Sequence, residues 1–522
     1  MTLNSRVISR RDMLYKSATA FASVGLAGYG IEALTLSKEL NSMTEQPIHY
    51  RSLTEVATQI AEGRLSSVAV TDAILARIDT LEPKLHAYYS VLADEARAKA
   101  AEADAKRDRG DALGVLHGVP IAVKDLCHKT GSITTAGHSF RRDAVSDFDS
   151  TVVSRLEASG AIIVGKLATT EGAMVGYHAD FAVPRNPWGN LDRWPGVSSG
   201  GSGVGPAAGL CFASLGSDTG GSIRYPSAAN GLVGMKPTWG RVSRYGVLDL
   251  APTLDHVGPM TRTVRDAARV LGAIAGLDAN DPTSLSTPVP DFEAGLDGTA
   301  TGLRIGWDDA FATADVEPYV AEALRGAVAT LGNLGATIVE LQVPEIEPSE
   351  TDAWSVMASA EAAAVHEATY PSKADEYGTY FRQFLSSGRA QTAVELAQAV
   401  IARKNASGRI APVFDNIDLL LIPTLASESF QYDPEAAYGG LDADTGTLAG
   451  VPLSFFQRNG RFITIWDYNG YPTLSVPCGL SPDGIPLSLQ LIGKPLSEAE
   501  LFRAGFAYEQ AHAFHLAHPD LV

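Results

Sequence analysis

The sequence predicts an α/β fold in which one large domain contains a mixed β-sheet covered by helices. Short apolar segments typical of buried strands alternate along the chain with segments of helical periodicity. Apolar residues make up 45% of the 522 residues, which is enough to bury a large core and excludes a disordered chain. We find no repeat with a period of roughly 20–50 residues, so a solenoid or a propeller is not expected.

The first half of the chain supplies both element types. Apolar spacing predicts one helix from Leu53 to Gly63 and another that begins near Val68 and ends before Pro83. A third helix, rich in alanine and charge, is expected to expose one face to solvent. The third helix is predicted over residues 94–109 and a fourth over 150–158, with strands over residues 86–92, 119–123 and 161–164.

The second half continues the alternation after a glycine-dense middle at residues 196–260. Residues 345–415 are rich in helical patterns and are predicted to be an insertion. Further strands are expected over residues 303–307, 337–343, 419–422, 474–476 and 488–492, and a helix over residues 316–333.

Charge and cysteine content exclude several classes of function. Lysine and arginine total 41 against 60 aspartates and glutamates, which gives a net charge of −19 at pH 7. An acidic surface repels phosphate backbones, so no nucleic-acid partner is expected. Cys127, Cys211 and Cys478 form no CxxC pair, and we expect buried small residues or inert thiols rather than disulfides or a zinc site.

The amino terminus carries a candidate targeting segment. Residues 9–14 read SRRDML, which resembles a twin-arginine export signal, and a weakly apolar run follows at residues 18–27. That run is too short to span a bilayer, which needs about 20 strongly apolar residues. We predict that residues 1–40 are an export signal and linker, that residues 41–522 form the main domain without a stable membrane span, and that the protein is periplasmic or extracellular. An amphipathic first helix on a cytoplasmic protein is the alternative.

The densest chemical signal is a pair of segments rich in serine and glycine. Residues 195–203 read PGVSSGGSG, and residues 216–224 read GSDTGGSIR. Glycine lets the backbone approach a ligand closely, and successive N–H groups in such turns can converge on an anion. Two flexible loops would account for the glycines, but not for serine accompanying them twice between apolar segments.

Other familiar motifs fit this region less well. Residues 196–200 match G-x-S-x-G, the nucleophile elbow, but Trp194-Pro195 precedes Ser198 where that motif requires a strand. Residues 203–208 match the dinucleotide pattern G-x-G-x-x-A, yet no strand opens it and Pro206 interrupts it. The eleven histidines show no metal-ligand spacing, so no metal site is predicted.

Lys124 is unusual because it ends an apolar strand in the segment GVPIAVKD. A lysine there either extends to the surface or is buried and functional, and this segment alone leaves both open. Burial would lower its pKa, since desolvation disfavours the ammonium, and a neutral lysine can act as a general base. Asp125 follows it, and because side chains alternate along a strand we expect Asp125 to face away from Lys124.

Together these segments resemble the amidase signature family of serine hydrolases. GVPIAVKD, PGVSSGGSG and the run from Gly216 to Val247 are similar to the family's signature in order and spacing, and the similarity extends over roughly residues 50–515. The resemblance implies the amidase signature fold for residues 41–522, which is a single α/β domain with a twisted mixed sheet. It also implies no metal and no organic cofactor.

The resemblance further implies a Ser-cisSer-Lys triad. Carried over to this sequence, Ser222 is the nucleophile, Ser198 is the bridging serine with an unusual peptide geometry, and Lys124 is the base. The oxyanion would be bound by backbone N–H groups of Thr219, Gly220, Gly221 and Ser222.

Two further residues near the triad have expected structural roles, and one departs from the family's pattern. Asp218 and Arg224 are expected to pair and hold the nucleophile loop. Val197 stands where the family usually has a second glycine, and valine is a stiff, β-branched residue.

The predicted function is that of an exported amidase that hydrolyses a linear carboxamide, a small-molecule substrate, through a Ser222 acyl-enzyme. Two rival functions remain open: the glutaminase subunit of a tRNA-dependent amidotransferase, and an inactive binding protein on the same scaffold. The oligomeric state also stays open, with a homodimer as one option. The candidate substrate-binding residues, which would suit an apolar or aryl acyl group unless they are ordinary core residues, are Met174, Tyr177, Ser198 and Tyr225, with Trp466 and Tyr468 as further pocket candidates.

Overall fold

The computed structural model describes residues 46–521 of the chain. Contacts divide the chain into two units, Met1–Pro47 and Ile48–Val522, and every element described below belongs to the second. The predicted export signal and its boundary at residue 41 lie outside the described residues. Within residues 46–521, none of the helices has both the length and the hydropathy that a membrane span requires.

Helices and strands alternate along the described residues, as the sequence predicts. The α-helices, in chain order, are α1 (Leu53–Ala61), α2 (Ser67–Leu85), α3 (Ala93–Asp108), α4 (Thr151–Ala158), α5 (Gly200–Ala207), α6 (Arg224–Asn230), α7 (Val264–Ile274), α8 (Asp309–Thr313), α9 (Pro318–Asn333), α10 (Pro348–Val365), α11 (Thr379–Ala390), α12 (Ala393–Ile410), α13 (Leu453–Tyr468) and α14 (Glu498–Gln510). The strands are β1 (Tyr88–Val91), β2 (Pro120–Lys124), β3 (Ile162–Leu167), β4 (Ala213–Asp218), β5 (Val233–Lys236), β6 (His256–Thr261), β7 (Arg304–Trp307), β8 (Thr337–Glu340), β9 (Leu419–Pro423), β10 (Leu441–Asp442), β11 (Thr447–Leu448), β12 (Val451–Pro452), β13 (Thr473–Leu480) and β14 (Pro486–Gly493).

The described strands form one large mixed sheet and one small one. The large sheet is 11-stranded, in the order β1-β3-β2-β4-β6-β5-β13-β14-β9-β7-β8. Strand β2 runs parallel to β3 and β4, and β7 runs parallel to β8 and β9, whereas the other neighbours are antiparallel. Strands β10, β11 and β12 pair in a separate antiparallel sheet. The predicted fold class, a large α/β domain with a mixed sheet, is confirmed.

The parallel strands β2 and β4 bring two ionisable residues, Lys124 and Asp218, to one edge of the sheet. Ile121 pairs with Ala213 and Val123 with Leu215, so both strands end at the same edge of the sheet. Both strands are fully buried along their length, including the polar residues at their ends, Lys124 and Asp218. A buried strand that ends in an ionisable residue brings that residue to the sheet edge without exposing it to solvent.

The predicted insertion consists of α10, α11 and α12. Apolar residues of these helices, among them Met357, Phe381 and Ile410, are buried in one core cluster with Val197 and Tyr225. A larger cluster packs the rest of the sheet against helices such as α1, α2 and α14. The insertion is therefore part of the packing around the serine- and glycine-rich segments rather than an independent appendage.

One sequence-based boundary is wrong, and three strands were not predicted. Helix α2 does not end before Pro83 but continues to Leu85, and His86 ends it in a left-handed conformation with φ 51°. Pro83 lies in the last turn, so the helix that its ring and missing N–H disturb ends two residues later. Strands β4, β5 and β6 were hidden by the glycine-dense composition of residues 196–260.

Candidate active site

Lys124 lies at the end of β2 with its amine among serine hydroxyls. The residue is 1% exposed. Its Nζ donates to Ser198 Oγ at 2.7 Å and to Ser217 Oγ at 2.9 Å. The sequence left open whether Lys124 extends to the surface or is buried, and in the structure it is buried.

Burial lowers the pKa of Lys124 to about 7, because desolvation disfavours the ammonium. Asp255 and Asp218 act in the opposite direction, since a carboxylate nearby favours the ammonium. The balance leaves an amine that can exist in its neutral form near neutral pH, which is the form that accepts a proton.

Asp125 faces away from Lys124, as strand alternation predicts. Its Oδ1 pairs with Lys166 Nζ at 2.9 Å, and its Oδ2 accepts from the Thr135 N–H at 2.9 Å. The neighbouring carboxylate is thus neutralised by a second buried lysine and does not compete for Lys124.

Ser198 follows a cis peptide bond, the Val197–Ser198 bond, which agrees with the unusual geometry that the resemblance implies. Its carbonyl accepts hydrogen bonds from the Thr170 N–H and the Thr169 hydroxyl, both at 3.2 Å. Val197 is buried in the apolar cluster described above, so the departure from the usual glycine is accommodated by packing. At Gly196 the backbone does require glycine, since φ is +86° and a Cβ would lie 2.3 Å from the Cα of Pro226.

Ser222 lies in the turn between β4 and α6 and is only partly buried. Among the described residues, none hydrogen-bonds to its hydroxyl. The geometry therefore brings Lys124 and Ser198 into contact, whereas no hydrogen bond within the described chain joins the Ser222 hydroxyl to either of them. A partly exposed hydroxyl of this kind is accessible to a ligand.

The Ser222 turn is fixed by a buried network of charges. Arg224 binds the Asp218 carboxylate through Nε and Nη2, both at 3.0 Å, and its Nη2 also lies 2.6 Å from Asp467 Oδ2. Burial alone would raise the pKa of Asp218, but the paired guanidinium holds it well below its usual range. Asp218 also accepts from the N–H groups of Gly221 and Ile223. The expected pairing of Asp218 with Arg224 is thus present, and Asp467 of α13 extends it.

The predicted oxyanion donors differ in their availability. The Gly221 N–H donates to Asp218 Oδ1 at 2.6 Å, whereas the N–H groups of Thr219, Gly220 and Ser222 have no acceptor among the described residues. Trp354 of α10 lies beside this turn, and a Cβ at Gly220 would approach its indole to 2.8 Å. Backbone N–H groups without an acceptor are donors of the kind that can bind a negatively charged oxygen.

The candidate pocket residues divide into two groups. Tyr225 packs against Gly221, and Tyr177 points its hydroxyl at Gly200 and has no hydrogen-bond partner among the described residues. Met174 is buried in the same cluster. Trp466 and Tyr468 instead bond to the backbone at Phe462 and Glu350, which makes them core residues of the α13 packing.

The rival motifs find no support in this geometry. In the described chain, no strand leads into Ser198, and its partner is a lysine rather than a histidine, unlike a nucleophile elbow. The G-x-G-x-x-A match lies inside α5 rather than after a strand. All three cysteines are buried and free, as expected.

Three residues at the site escaped the sequence analysis: Ser217, Asp255 and Trp354. Ser217 lies on β4 within the segment GSDTGGSIR of residues 216–224, so it could have been predicted as a site residue. Asp255 and Trp354 carry no local signal, because only the fold brings β6 and the insertion to this turn.

Comparison with known proteins gives a consistent result. The model of a family described as Amidase matches residues 69–502. A protein of Mycobacterium tuberculosis (strain ATCC 25618 / H37Rv) named "Putative amidase AmiD" is 42% identical over 479 residues, which cover 92% of this chain and 98% of that protein. A glutamyl-tRNA(Gln) amidotransferase subunit of Thermosynechococcus vestitus is 37% identical over 492 residues, which cover 90% of this chain and 99% of that protein.

Solved structures agree with these sequence relatives. A bacterial aryl acylamidase belonging to the amidase signature enzymes superposes with a TM-score of 0.78 and 27% identity, covering 89% of this chain and 97% of that one. The likeness therefore concerns most of the chain rather than one motif.

Proposed function

Since this chain belongs to the amidase family and is a hydrolase of carbon–nitrogen bonds, we propose that it cleaves linear carboxamides through an acyl-enzyme on Ser222. The contact that carries the proposal is the 2.7 Å hydrogen bond from the buried Lys124 amine to Ser198. A serine hydroxyl is a weak nucleophile unless a base removes its proton, and this pair supplies such a base.

The proposed reaction passes one proton along the triad. Neutral Lys124 takes a proton from Ser198, and Ser198 takes one from Ser222 as the Ser222 oxygen attacks the substrate carbonyl. Ser198 then returns a proton to the leaving nitrogen, the C–N bond breaks, and water hydrolyses the ester on Ser222. The products are a carboxylate and an amine or ammonia.

Backbone N–H groups stabilise the oxyanion in this proposal. The N–H groups of Thr219, Gly220 and Ser222 are available without rearrangement of the described residues, and the Gly221 N–H joins them only if it leaves Asp218. One preorganised donor of this kind contributes about 2.7–4 kcal/mol to transition-state stabilisation. The Asp218–Arg224 pair supports the turn and transfers no proton.

Covalent labelling tests the proposal directly. A fluorophosphonate should modify the parent protein at Ser222, located by mass spectrometry of the digested adduct, and should leave Ser222→Ala unlabelled. Labelling elsewhere, or none in a folded parent that also turns over no amide, would favour an inactive binding protein on this scaffold.

The acyl side of the substrate is proposed to be apolar or aryl. A cluster of aromatic rings with centroids 4.7–6.0 Å apart consists of Tyr225, Phe455, Trp194 and Phe430. Tyr225 packs against Gly221 in the turn of residues 219–222, here called the oxyanion turn. The solved aryl acylamidase shares this fold. A panel of acetyl, butyryl and benzoyl amides, anilides, carbamates and esters, measured with Ser222→Ala as the blank, ranks these classes.

The second candidate function is that of the glutaminase subunit of a tRNA-dependent amidotransferase. It is considered because a glutamyl-tRNA(Gln) amidotransferase subunit is 37% identical to this chain. That function depends on partner proteins and a tRNA complex. Purified protein that hydrolyses simple amides without partners supports an independent amidase, whereas glutamine hydrolysis seen only after the partner proteins are added supports the rival.

Export remains the proposal for localisation. It rests on the twin-arginine pattern at residues 9–14 and the weakly apolar run that follows it. Replacing Arg10 and Arg11 with lysine should retain the protein in the cytoplasm. Equal amounts outside the cytoplasm for parent and variant would contradict export by this route.

A further inference from the structure

We infer that Asp255 is a positioning residue of the active site, which fixes the Thr219 end of the oxyanion turn and sets the charge balance at Lys124. The inference rests on the proposed function, because it assigns these groups to the same reaction. Asp255 lies just before β6, outside the segments that carry the triad.

The Asp255 carboxylate is buried and held on both oxygens. Its Oδ1 accepts the Thr219 hydroxyl at 2.6 Å, and its Oδ2 accepts the Leu250 N–H at 2.9 Å. The Ala251 N–H lies within 3.2 Å of both oxygens. The carboxylate is thus fixed by its own loop, so that it can act as a rigid acceptor for Thr219.

Thr219 is held from two sides. Its side chain donates to Asp255, and its carbonyl accepts the Trp354 indole N–H at 2.8 Å. Its own N–H has no acceptor among the described residues. Two fixed contacts on one residue determine the direction of that N–H, and oxyanion donors are effective only when they are oriented before the reaction.

Asp255 and Ser217 line the same small cavity. It has a volume of about 10 Å³, and its polar lining comes from Ser217, Arg244, Asp249, Asp255 and His256. Ser217 is the second hydrogen-bond acceptor of Lys124. A cavity of this volume and polarity is of the size that one water molecule fills.

The charged and titratable groups around Lys124 and Asp255 come from several elements. Asp255 and Asp218 favour the ammonium of Lys124, the Cys127 thiol is kept protonated by burial, and Lys166 on β3 is already paired with Asp125. Asp249, Arg244 and His256 line the cavity together with Asp255. Burial and the nearby Asp249 raise the pKa of Asp255 to about 7, so it changes charge in the same range as Lys124.

The sign of the electrostatic effect follows from these groups. An ionised Asp255 favours the ammonium of Lys124, and removing that charge makes the neutral amine easier to form. Asp255→Asn should therefore move the acid limb of kcat/KM to lower pH by about 1 unit, while its Oδ1 can still accept the Thr219 hydroxyl. Thr219→Val removes the donor but keeps the carboxyl group of Asp255, and should lower kcat about tenfold or more while shifting the pH midpoint less than Asp255→Asn does.

The test measures kcat and KM from pH 5 to pH 10 for the parent, Asp255→Asn and Thr219→Val, with one amide that does not titrate in this range. Asp143→Asn, an exposed charge change, and Thr253→Val, a hydroxyl on the same loop that bonds Glu361 instead, are the matched controls. Both should follow the parent's profile.

Each outcome decides the inference. An unshifted midpoint in folded Asp255→Asn overturns the electrostatic role, and Thr219→Val activity within twofold of the parent overturns the anchoring role. If Asp255→Asn does not fold, Thr219→Val alone decides. A parent that neither turns over amides nor labels at Ser222 refutes the proposed function instead, so the two failures are distinguishable.

Discussion

The Lys124 amine bonds to Ser198, whereas the Ser222 oxygen has no hydrogen-bond partner in the described part of the chain. In the proposed mechanism, the proton acceptor is therefore the buried group and the attacking oxygen is the more exposed one. Catalytic groups of this kind act as a unit, so the loss of either group should be nearly as damaging as the loss of both.

Ser222→Ala is predicted to lower kcat by at least about 10³-fold, because it removes the attacking oxygen. The unfolding midpoint should stay close to the parent's, since that oxygen makes no hydrogen bond to a described residue. Steady-state kinetics and differential scanning fluorimetry measure both. Activity within about tenfold of the parent would place the nucleophile elsewhere, with Ser198 as the first residue to examine.

Lys124→Arg separates a base from a positive anchor. Arginine keeps its proton at any accessible pH, so the variant should be nearly as inactive as Lys124→Ala. Purified variants that unfold cooperatively would be compared by single-turnover amide hydrolysis. If Lys124→Arg retained the parent's rate, the residue would act through its charge alone.

The pH dependence follows from the pKa of Lys124, which is about 7. A base must be neutral, so kcat/KM should fall as pH decreases through about 7 and stay high at alkaline pH. Lys236 is a second buried lysine whose pKa burial lowers to about 7, and it bonds to the Tyr471 carbonyl away from the serines. Lys236→Met should keep the acid limb in place. A profile that declines steadily from pH 7 to pH 9 would contradict a neutral-lysine base.

At the scale of elements, the insertion helix α10 reaches the oxyanion turn through a single side chain. The Trp354 indole donates to the Thr219 carbonyl, and its ring lies beside Gly220. A change in this helix can therefore alter catalysis although none of the triad residues belongs to it.

Trp354→Phe is predicted to lower kcat about tenfold, because it keeps an aromatic ring beside Gly220 but leaves the Thr219 carbonyl without its donor. KM for the same amide should change less, since the ring that borders the site is retained. Kinetics of Trp354→Phe against Trp188→Phe, a buried indole that bonds the Asn230 carbonyl instead, would isolate the effect. Equal losses in the two variants would mean a general packing defect.

The elements that could be predicted are those with local signals. Buried strands such as β2 and β3, and amphipathic helices such as α1 and α9, follow from apolar spacing. The triad is implied by the family resemblance of three motif segments, and its roles stay a prediction. Strands β4 to β6 were missed because glycine and serine mask strand propensity there. Asp255 and Trp354 could not be predicted, since their role arises from contacts over 36 and 135 positions in sequence with Thr219.

At the scale of the described domain, buried ionisable side chains join the insertion to the loops that follow β2 and β3. His138, in the loop after β2, lies with its ring centroid 5.0 Å from that of His366, which ends α10. His138 Nδ1 lies 3.2 Å from Glu171 Oε1, and Glu171 Oε2 accepts the Gly378 N–H before α11. Burial lowers the pKa of both histidines to about 3 and raises the pKa of Glu171 to about 8. All three groups are thus packed in their neutral forms.

This packing predicts acid sensitivity of the domain, with a sign set by the histidines. A histidine whose pKa is lowered on folding contributes stability above its unfolded pKa of about 6.5, and that contribution is lost as pH falls towards the folded value. Each such histidine should remove up to about 1.4 kcal/mol of unfolding free energy per pH unit below 6.5. Glu171 acts in the opposite direction down to its unfolded pKa, because its pKa is raised on folding, so it offsets about one of the two histidines. His366→Phe should therefore flatten the fall of the unfolding midpoint between pH 6.5 and pH 4.5. Scanning calorimetry of the parent and the variant at matched ionic strength measures the slopes. Parallel slopes for the parent and His366→Phe would show that acid sensitivity originates elsewhere in the chain.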